Sequence, residues 1–295
     1  MKLNRTPLFV LLAAGALFVA PIAQAQFPNF NLNKLQDTLK KGSEVLKKTQ
    51  DATVEMTEAN EAETGDGMAA NFLGAVPLHG DAAIQRYVNR VGRWVASQSS
   101  RPDLKWSFAV LDTPTINAFA VPGGTIFVSI GLVKRLTNES ELAGVIGHEI
   151  AHVMQRHHVK AIQALAKQDL LKMGLTEAAD RSGKSGLAKE GIKVAVSSGM
   201  DIMAKGLDKS DEFEADRIGA VLSARAGYDP YGLVAVLQML AALKAEESGI
   251  SLLMSTHPTP GDRLIELEKF TATLDKFSSQ PQVTDRFAAV MANVK

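Results

Sequence analysis

Gly147-His148-Glu149-Ile150-Ala151-His152 decides the reading of this chain: it is an H-E-x-x-H pattern inside residues 138–158, a run whose spacing predicts one helix. At about 100° per residue, His148 and His152 lie one turn apart and about 40° apart in azimuth, so both imidazoles reach one metal ion from one face. Glu149 flanks that face. Two neutral imidazoles at this spacing suit Zn²⁺, and the intervening carboxylate is placed to take a proton from a zinc-bound water. Asn138 as N-cap with Glu141 at the third helical position makes a capping arrangement, and Leu142, Val145, Ile146, Ile150 and Val153 supply the apolar stripe. Ala143, Gly144, Gly147 and Ala151 are small, which describes a helix packed on several sides. A carboxylate or imidazole buried there must be paired or metal-bound.

A zinc site needs a third protein ligand. One class of metalloproteases keeps a third His at the position of His158, but it does so by breaking the helix at a Gly, where this chain has Gln155. A helix that continues would carry His158 about 240° round from His152. Arg156, His157 and His158 therefore read as a polar helix end. The stronger candidate lies in Ser210-Asp211-Glu212-Phe213-Glu214-Ala215-Asp216-Arg217, the start of a helix that Ala226-Gly227 ends. Glu212 and Asp216 share one face of it. One can ligate zinc while the other accepts an N–H from a ligating His or anchors a nearby Arg.

Upstream of the motif, Ile84, Val88, Val91 and Val95 mark an amphipathic helix over residues 81–97, which Arg101-Pro102-Asp103 breaks. Residues 106–111, 116–121 and 125–130 read as strands, the last two joined by Pro122-Gly123-Gly124. An edge strand beside the metal holds an extended peptide through backbone hydrogen bonds, and Asn117-Ala118-Phe119-Ala120 is the candidate substrate-binding segment. Downstream, residues 191–207 form an apolar segment able to pack over the active-site helix. Gly183-Lys184-Ser185 lacks the earlier Gly of a phosphate-binding loop, and no strand precedes it.

The remaining features bound the class. At 295 residues the chain supplies one large domain, and 32 basic against 32 acidic residues with no basic stripe argue against nucleic acid. Lys2 and Arg5 precede an apolar run, residues 8–22, that ends in Ala23-Gln24-Ala25, so residues 1–25 are expected to be a cleavable signal peptide. The run is shorter than the roughly 20 residues of a spanning helix and contains Pro21, which disfavours an uncleaved anchor. With no Cys there is no disulfide framework and no thiolate metal site. The expected location is the periplasm, with membrane association as the alternative. Residues 26–66 form a polar, partly helical segment and residues 67–295 the compact domain.

His148-Glu149-Ile150-Ala151-His152-Val153 with Arg156-His157, then Glu212-Phe213-Glu214-Ala215-Asp216, resembles the M48 zinc metalloproteases, the group containing Ste24-like, HtpX-like, Oma1-like and BepA-like proteins. Asn117 to Gly124, Gly227-Tyr228-Asp229-Pro230 and Thr256-His257-Pro258 extend the likeness, which is greatest to the soluble, periplasmic BepA-like branch. The resemblance implies an α+β, mainly helical, zincin-type (gluzincin) fold with a small hairpin beside the active-site helix. It implies one Zn²⁺ per chain on His148, His152 and Glu212 with Glu149 as catalytic base, which leaves Asp216, on the face of Glu212, as the residue behind the ligands. It also implies a His from the Thr256–Arg263 loop near the metal. His257 there either donates to the oxyanion, assisted by Arg263, or occupies the open metal position and holds the enzyme off; the blocking role is the expectation. The function expected is an exported endopeptidase acting on misfolded envelope proteins, compatible with an outer-membrane assembly partner. Its rival is a chaperone-like, zinc-containing binding protein with little proteolytic activity.

Overall fold

The computed structural model of the chain describes residues 56–172, 184–243, 256–257 and 260–294, with the backbone alone at 166–172 and 184–191. The expected signal peptide, most of the polar segment that follows it and most of the connection around residue 183 lie outside the described residues. Helices dominate, with one three-stranded sheet among the described residues. In chain order these are α1 (Glu58–Ala75), α2 (Ala82–Ala96), β1 (Ser107–Leu111), β2 (Ala118–Val121), β3 (Thr125–Ser129), the short α3 (Ile130–Val133), α4 (Glu139–Met154) and α5 (His157–Lys172). They continue with α6 (Lys184–Lys205), α7 (Lys209–Arg225), α8 (Gly232–Ala242), α9 (Pro260–Glu268), α10 (Thr271–Leu274) and α11 (Thr284–Met291).

The sheet runs β1-β3-β2. Central β3 pairs parallel with β1, Ser107 opposite Thr125, and antiparallel with β2, Ala118 opposite Val128, through the hairpin expected at Pro122-Gly123-Gly124. The outer edge of β1 is closed by a bridge between Leu78 and Leu111, with the His79 amide donating to Val110. β2 is the other edge. Asp81 caps α2 by accepting from the Ala83 amide, and the stripe Ile84, Val88, Val91 and Val95 joins Phe108 and Val110 of β1 in the main core. Leu142, Ile146, Ile150 and Val153 of α4 complete that core.

α4 is buried over nearly its whole length, Glu139 to Val153. Its cap forms at Asn138, which accepts from the Glu141 amide at 3.0 Å. The Glu141 carboxylate reaches back to the Thr137 amide, one residue before the usual capping-box partner. The most extensive helix–helix contact is α4 on α7, and its sequence cause is a pair of glycines. A Cβ on Gly147 would lie 2.7 Å from the Gly219 carbonyl oxygen, and one on Gly219 would lie 2.5 Å from the His148 nitrogen. Only bare backbone permits this approach, and it carries the acidic first turns of α7 over the His148–His152 face.

Two elements differ from expectation. The helix predicted over residues 138–158 ends at Met154, because Arg156 adopts the left-handed conformation (φ 57°) that a Gly would ordinarily supply, and α5 then starts in a new direction. His157 and His158 are consequently buried rather than a polar helix end. Helix α1 also crosses the boundary expected between residues 66 and 67. Its fully buried Glu61 binds Arg101 at 3.0 Å and Arg156 at 3.0 Å, and Arg101 also donates to the Val153 carbonyl at the end of α4. A charge buried at that depth requires such partners.

Candidate active site

Helix α4 presents His148 and His152 on one face, and α7 presents Glu212 opposite them. The two imidazole Nε2 atoms are 3.0 Å apart; Glu212 Oε2 is 3.5 Å from the first and Oε1 is 3.4 Å from the second. All three side chains are at most 4% exposed. His257 completes the cluster, its Nδ1 2.7 Å from Glu212 Oε2, and one ligand atom from each of the four residues falls within 4.8 Å of the others. This donor set, two imidazoles and a carboxylate converging from two helices with a third imidazole at the side, fits a divalent ion such as zinc. Glu212 Oε1 is buried without a hydrogen-bond partner, as a carboxylate reserved for a cation would be.

Asp216, one turn beyond Glu212, stands 2.9 Å from His148 Nδ1, which turns the other nitrogen toward the cluster. Arg263, expected in a loop, sits in the first turn of α9, is 4% exposed and grips Asp216 with Nε at 2.8 Å and a terminal nitrogen. Asp216 is the residue behind His148, and the other terminal nitrogen of Arg263 stands 3.8 Å from Glu212 Oε2. Burial pushes the Asp216 carboxyl up, and the Arg263 charge and hydrogen bonds overcome this to hold it below the usual range.

The charge pattern within the cluster follows from burial and neighbours. Burial and the Arg263 charge push His148 down, but its bonds to Asp216 and Glu212 raise it to about 9, while burial and the His148 charge hold His152 well below the imidazole range. Burial opposes ionisation of Glu212, yet the His257 charge and the bonds from His148 and His257 keep its pKa far down. Glu149 is the opposite case: burial pushes its carboxyl up, and the charges of His148 and His257 only partly offset this. A raised carboxyl is the condition of a general base that must also return its proton.

Glu149 faces a narrow cavity lined also by Asn117, Phe119, His158, Glu212 and His257. Three of its lining residues carry a buried oxygen without a hydrogen-bond partner: Asn117 Oδ1, Glu149 Oε2 and Glu212 Oε1. Of the expected substrate-binding segment, Asn117 and Phe119 line this cavity and Ala118 lines a second one with His148 and Glu149, whereas Ala120 is sealed in the main core. Asn117, Phe119 and Met203 also line a larger, mostly apolar cavity of about 320 Å³ reaching Phe72 and Met200. Ile202, Met203 and Leu207 bring the end of α6 and the segment after it over the site, as expected for residues 191–207. His158 approaches, its ring 5.5 Å from that of His152, but lies outside the group of converging ligand atoms; burial holds its pKa down at about 4.

The sequence reading missed His157, which is fully buried with Nδ1 3.0 Å from His152 Nδ1, and with it Asp211 and Glu214 on the outer side of α7. The available signal was a third His soon after the motif. Placing it required knowing that the helix breaks.

Residues 82–271 match the family model described as peptidase family M48. The chain is 32% identical over 207 residues to the beta-barrel assembly-enhancing protease of Yersinia pestis, covering 68% of this chain and 41% of the relative. It is 30% identical over 211 residues to the protein of that name in Escherichia coli K12, covering 70% and 42%. It is also 30% identical over 186 residues to the mitochondrial metalloendopeptidase OMA1 of Schizosaccharomyces pombe, covering 62% and 52%. The chain thus spans about half or less of the length of each of these relatives.

Proposed function

The chain belongs to peptidase family M48, and from that premise we propose that it is a zinc-dependent endopeptidase of gluzincin type, with His148, His152 and Glu212 as the metal ligands. The observation that carries the proposal is the convergence of these three side chains with Glu149 beside them and its Oε2 unpartnered. When bound, a zinc ion supplies Lewis acidity, polarising a carbonyl and lowering the pKa of a water to about 7.

The residues of the chain do the rest. Glu149 takes the proton of the attacking water and returns it to the leaving amine, a role suited to a carboxyl raised by burial. Asp216, neutralised by Arg263, keeps His148 turned to its ligand position. The edge of β2 at Asn117 to Phe119 holds an extended peptide, and the apolar cavity bounded by Phe72, Phe119, Met200 and Met203 takes a large apolar side chain. His257, in contact with Glu212, takes the position an incoming water or carbonyl needs and holds the site closed until substrate displaces it. The name of the bacterial relatives, beta-barrel assembly-enhancing protease, supports misfolded envelope proteins as substrates and an outer-membrane assembly partner. Export by residues 1–25 to the periplasm agrees with this, and among the described residues no helix is long and apolar enough to cross a membrane.

The test joins metal content to cleavage of a denatured protein. The purified chain carries one zinc, lost in His148→Ala and Glu212→Ala and kept in His158→Ala. Glu149→Gln keeps the zinc and loses cleavage. Zinc lost in His158→Ala but kept in Glu212→Ala would overturn the ligand assignment, and undiminished cleavage by Glu149→Gln would remove the base. A zinc-loaded wild-type chain that binds denatured protein without cutting it would establish the chaperone-like alternative.

A further inference from the structure

We propose that His157 is a positioning residue that fixes the tautomer of His152, through a hydrogen-bonded chain ending on Glu214 and Asp211. The inference rests on the metal-site reading above and extends it to residues outside the ligand set. His157 is fully buried, and its two ring nitrogens have different neighbours. Nδ1 is 3.0 Å from His152 Nδ1, with the rings nearly perpendicular at 75°. Nε2 faces two carboxylates, 3.3 Å from Glu214 Oε2 and 3.6 Å from Asp211 Oδ1.

Two imidazole nitrogens that meet share one proton, and the outer end of the chain decides which of them carries it. Carboxylates only accept, so His157 Nε2 must be the N–H that donates to Glu214. In a neutral ring this leaves His157 Nδ1 as a lone pair, which accepts from His152 Nδ1–H. His152 Nε2 is then the bare nitrogen, and it points at the cluster, 3.0 Å from His148 Nε2 and 3.4 Å from Glu212 Oε1. Gln155 steadies the acceptor by donating to the other Glu214 oxygen. The two motif histidines are thus oriented from the same helix by different routes. Asp216 acts on His148 directly, and Glu214 acts on His152 through an intervening imidazole. On an unbroken helix His157 would lie about 140° round from His152; the left-handed turn at Arg156 brings it back.

The test is zinc affinity of the full chain by chelator competition, with apo-protein stability measured beside it. His157→Leu removes the acceptor and is expected to weaken zinc binding about 10- to 100-fold. His157→Asn, whose side-chain oxygen falls near the lost Nδ1, should restore affinity to within a few-fold of wild type. Glu214→Ala with Asp211→Ala removes the acceptors of the His157 Nε2–H and should weaken binding in the same direction. Equal affinity in wild type and His157→Leu would overturn the proposal, as would Asn behaving like Leu. A wild-type chain that binds a second ion, lost in His157→Leu while the first site keeps its affinity, would overturn it in favour of a separate cation site at His157, Asp211 and Glu214. A wild-type chain that takes up no zinc would overturn the underlying metal reading as well.

Discussion

His257 carries the expectation most easily read in its sign. Its Nδ1 lies 2.7 Å from Glu212 Oε2, inside the group of converging donor atoms rather than at a distance from which it would wait for an oxyanion. On the proposed ligand set, a side chain in that place would compete with water for the ion. His257→Ala at matched zinc occupancy is therefore expected to raise peptidase turnover. Should turnover instead fall by about a hundredfold, the size of a lost oxyanion donor, the blocking role is wrong and the donating role stands. Arg263 is distinguishable from His257 in the same assay, because it grips Asp216.

The contact between α4 and α7 governs the proposed ligand set, since His148 and His152 come from one helix and Glu212 from the other. Gly147 and Gly219 let the backbones touch two turns from Glu212. In Gly219→Ala the new methyl would stand 2.5 Å from the His148 nitrogen and 2.8 Å from the His148 Cα, so backbone and not a flexible side-chain end must move. Overpacking of this kind costs about 1–3 kcal/mol. The added separation falls between His148 and Glu212, so the variant is expected to lose chemical-denaturation stability and zinc affinity together. Stability lost with affinity intact would mean that the helix contact does not set the ligand spacing.

A second polar knot, outside the His148–Glu212 cluster, ties distant parts of the chain. Glu139, fully buried at the start of α4, accepts from Tyr87 of α2 at 2.5 Å and from Tyr228 after α7 at 2.7 Å, and Arg286 of α11 binds both its oxygens. Burial pushes this carboxyl up, but the bonds from Arg286, Tyr87 and Tyr228 outweigh it, and the folded-state pKa lies below the ordinary 4.5. A depressed carboxyl contributes stability that is present above its unfolded value and is lost as pH falls through the folded one. Glu139→Gln, which weakens the bond to Arg286 and mispairs one tyrosine, is expected to cost about 1–3 kcal/mol at neutral pH. The difference between wild type and variant should shrink as pH falls below about 4.5. A difference independent of pH would show that the charge on Glu139 contributes nothing.

What could be read from residue order alone was whatever depends on neighbours a few positions apart. The i, i+4 geometry of His148 and His152, the Asn138 cap, the stripe of α2 and the hairpin at Pro122-Gly123-Gly124 are all local, and helical or strand periodicity expresses them directly. Glu212 was legible only as an acid at a helix start, made a ligand candidate by the motif upstream. Its distance to the imidazoles depends on two glycines meeting across helices, a contact that no periodicity encodes. The same limit explains His157 and His158. Their burial follows from Arg156 in a left-handed conformation, which propensity does not favour for an arginine and which its ion pair with the buried Glu61 of α1 helps to hold. Helix ends and interhelical approaches are settled by packing between segments far apart in the chain, and for that reason the His148–His152 pair was visible in the sequence while the chain of side chains behind it appeared only in the folded protein.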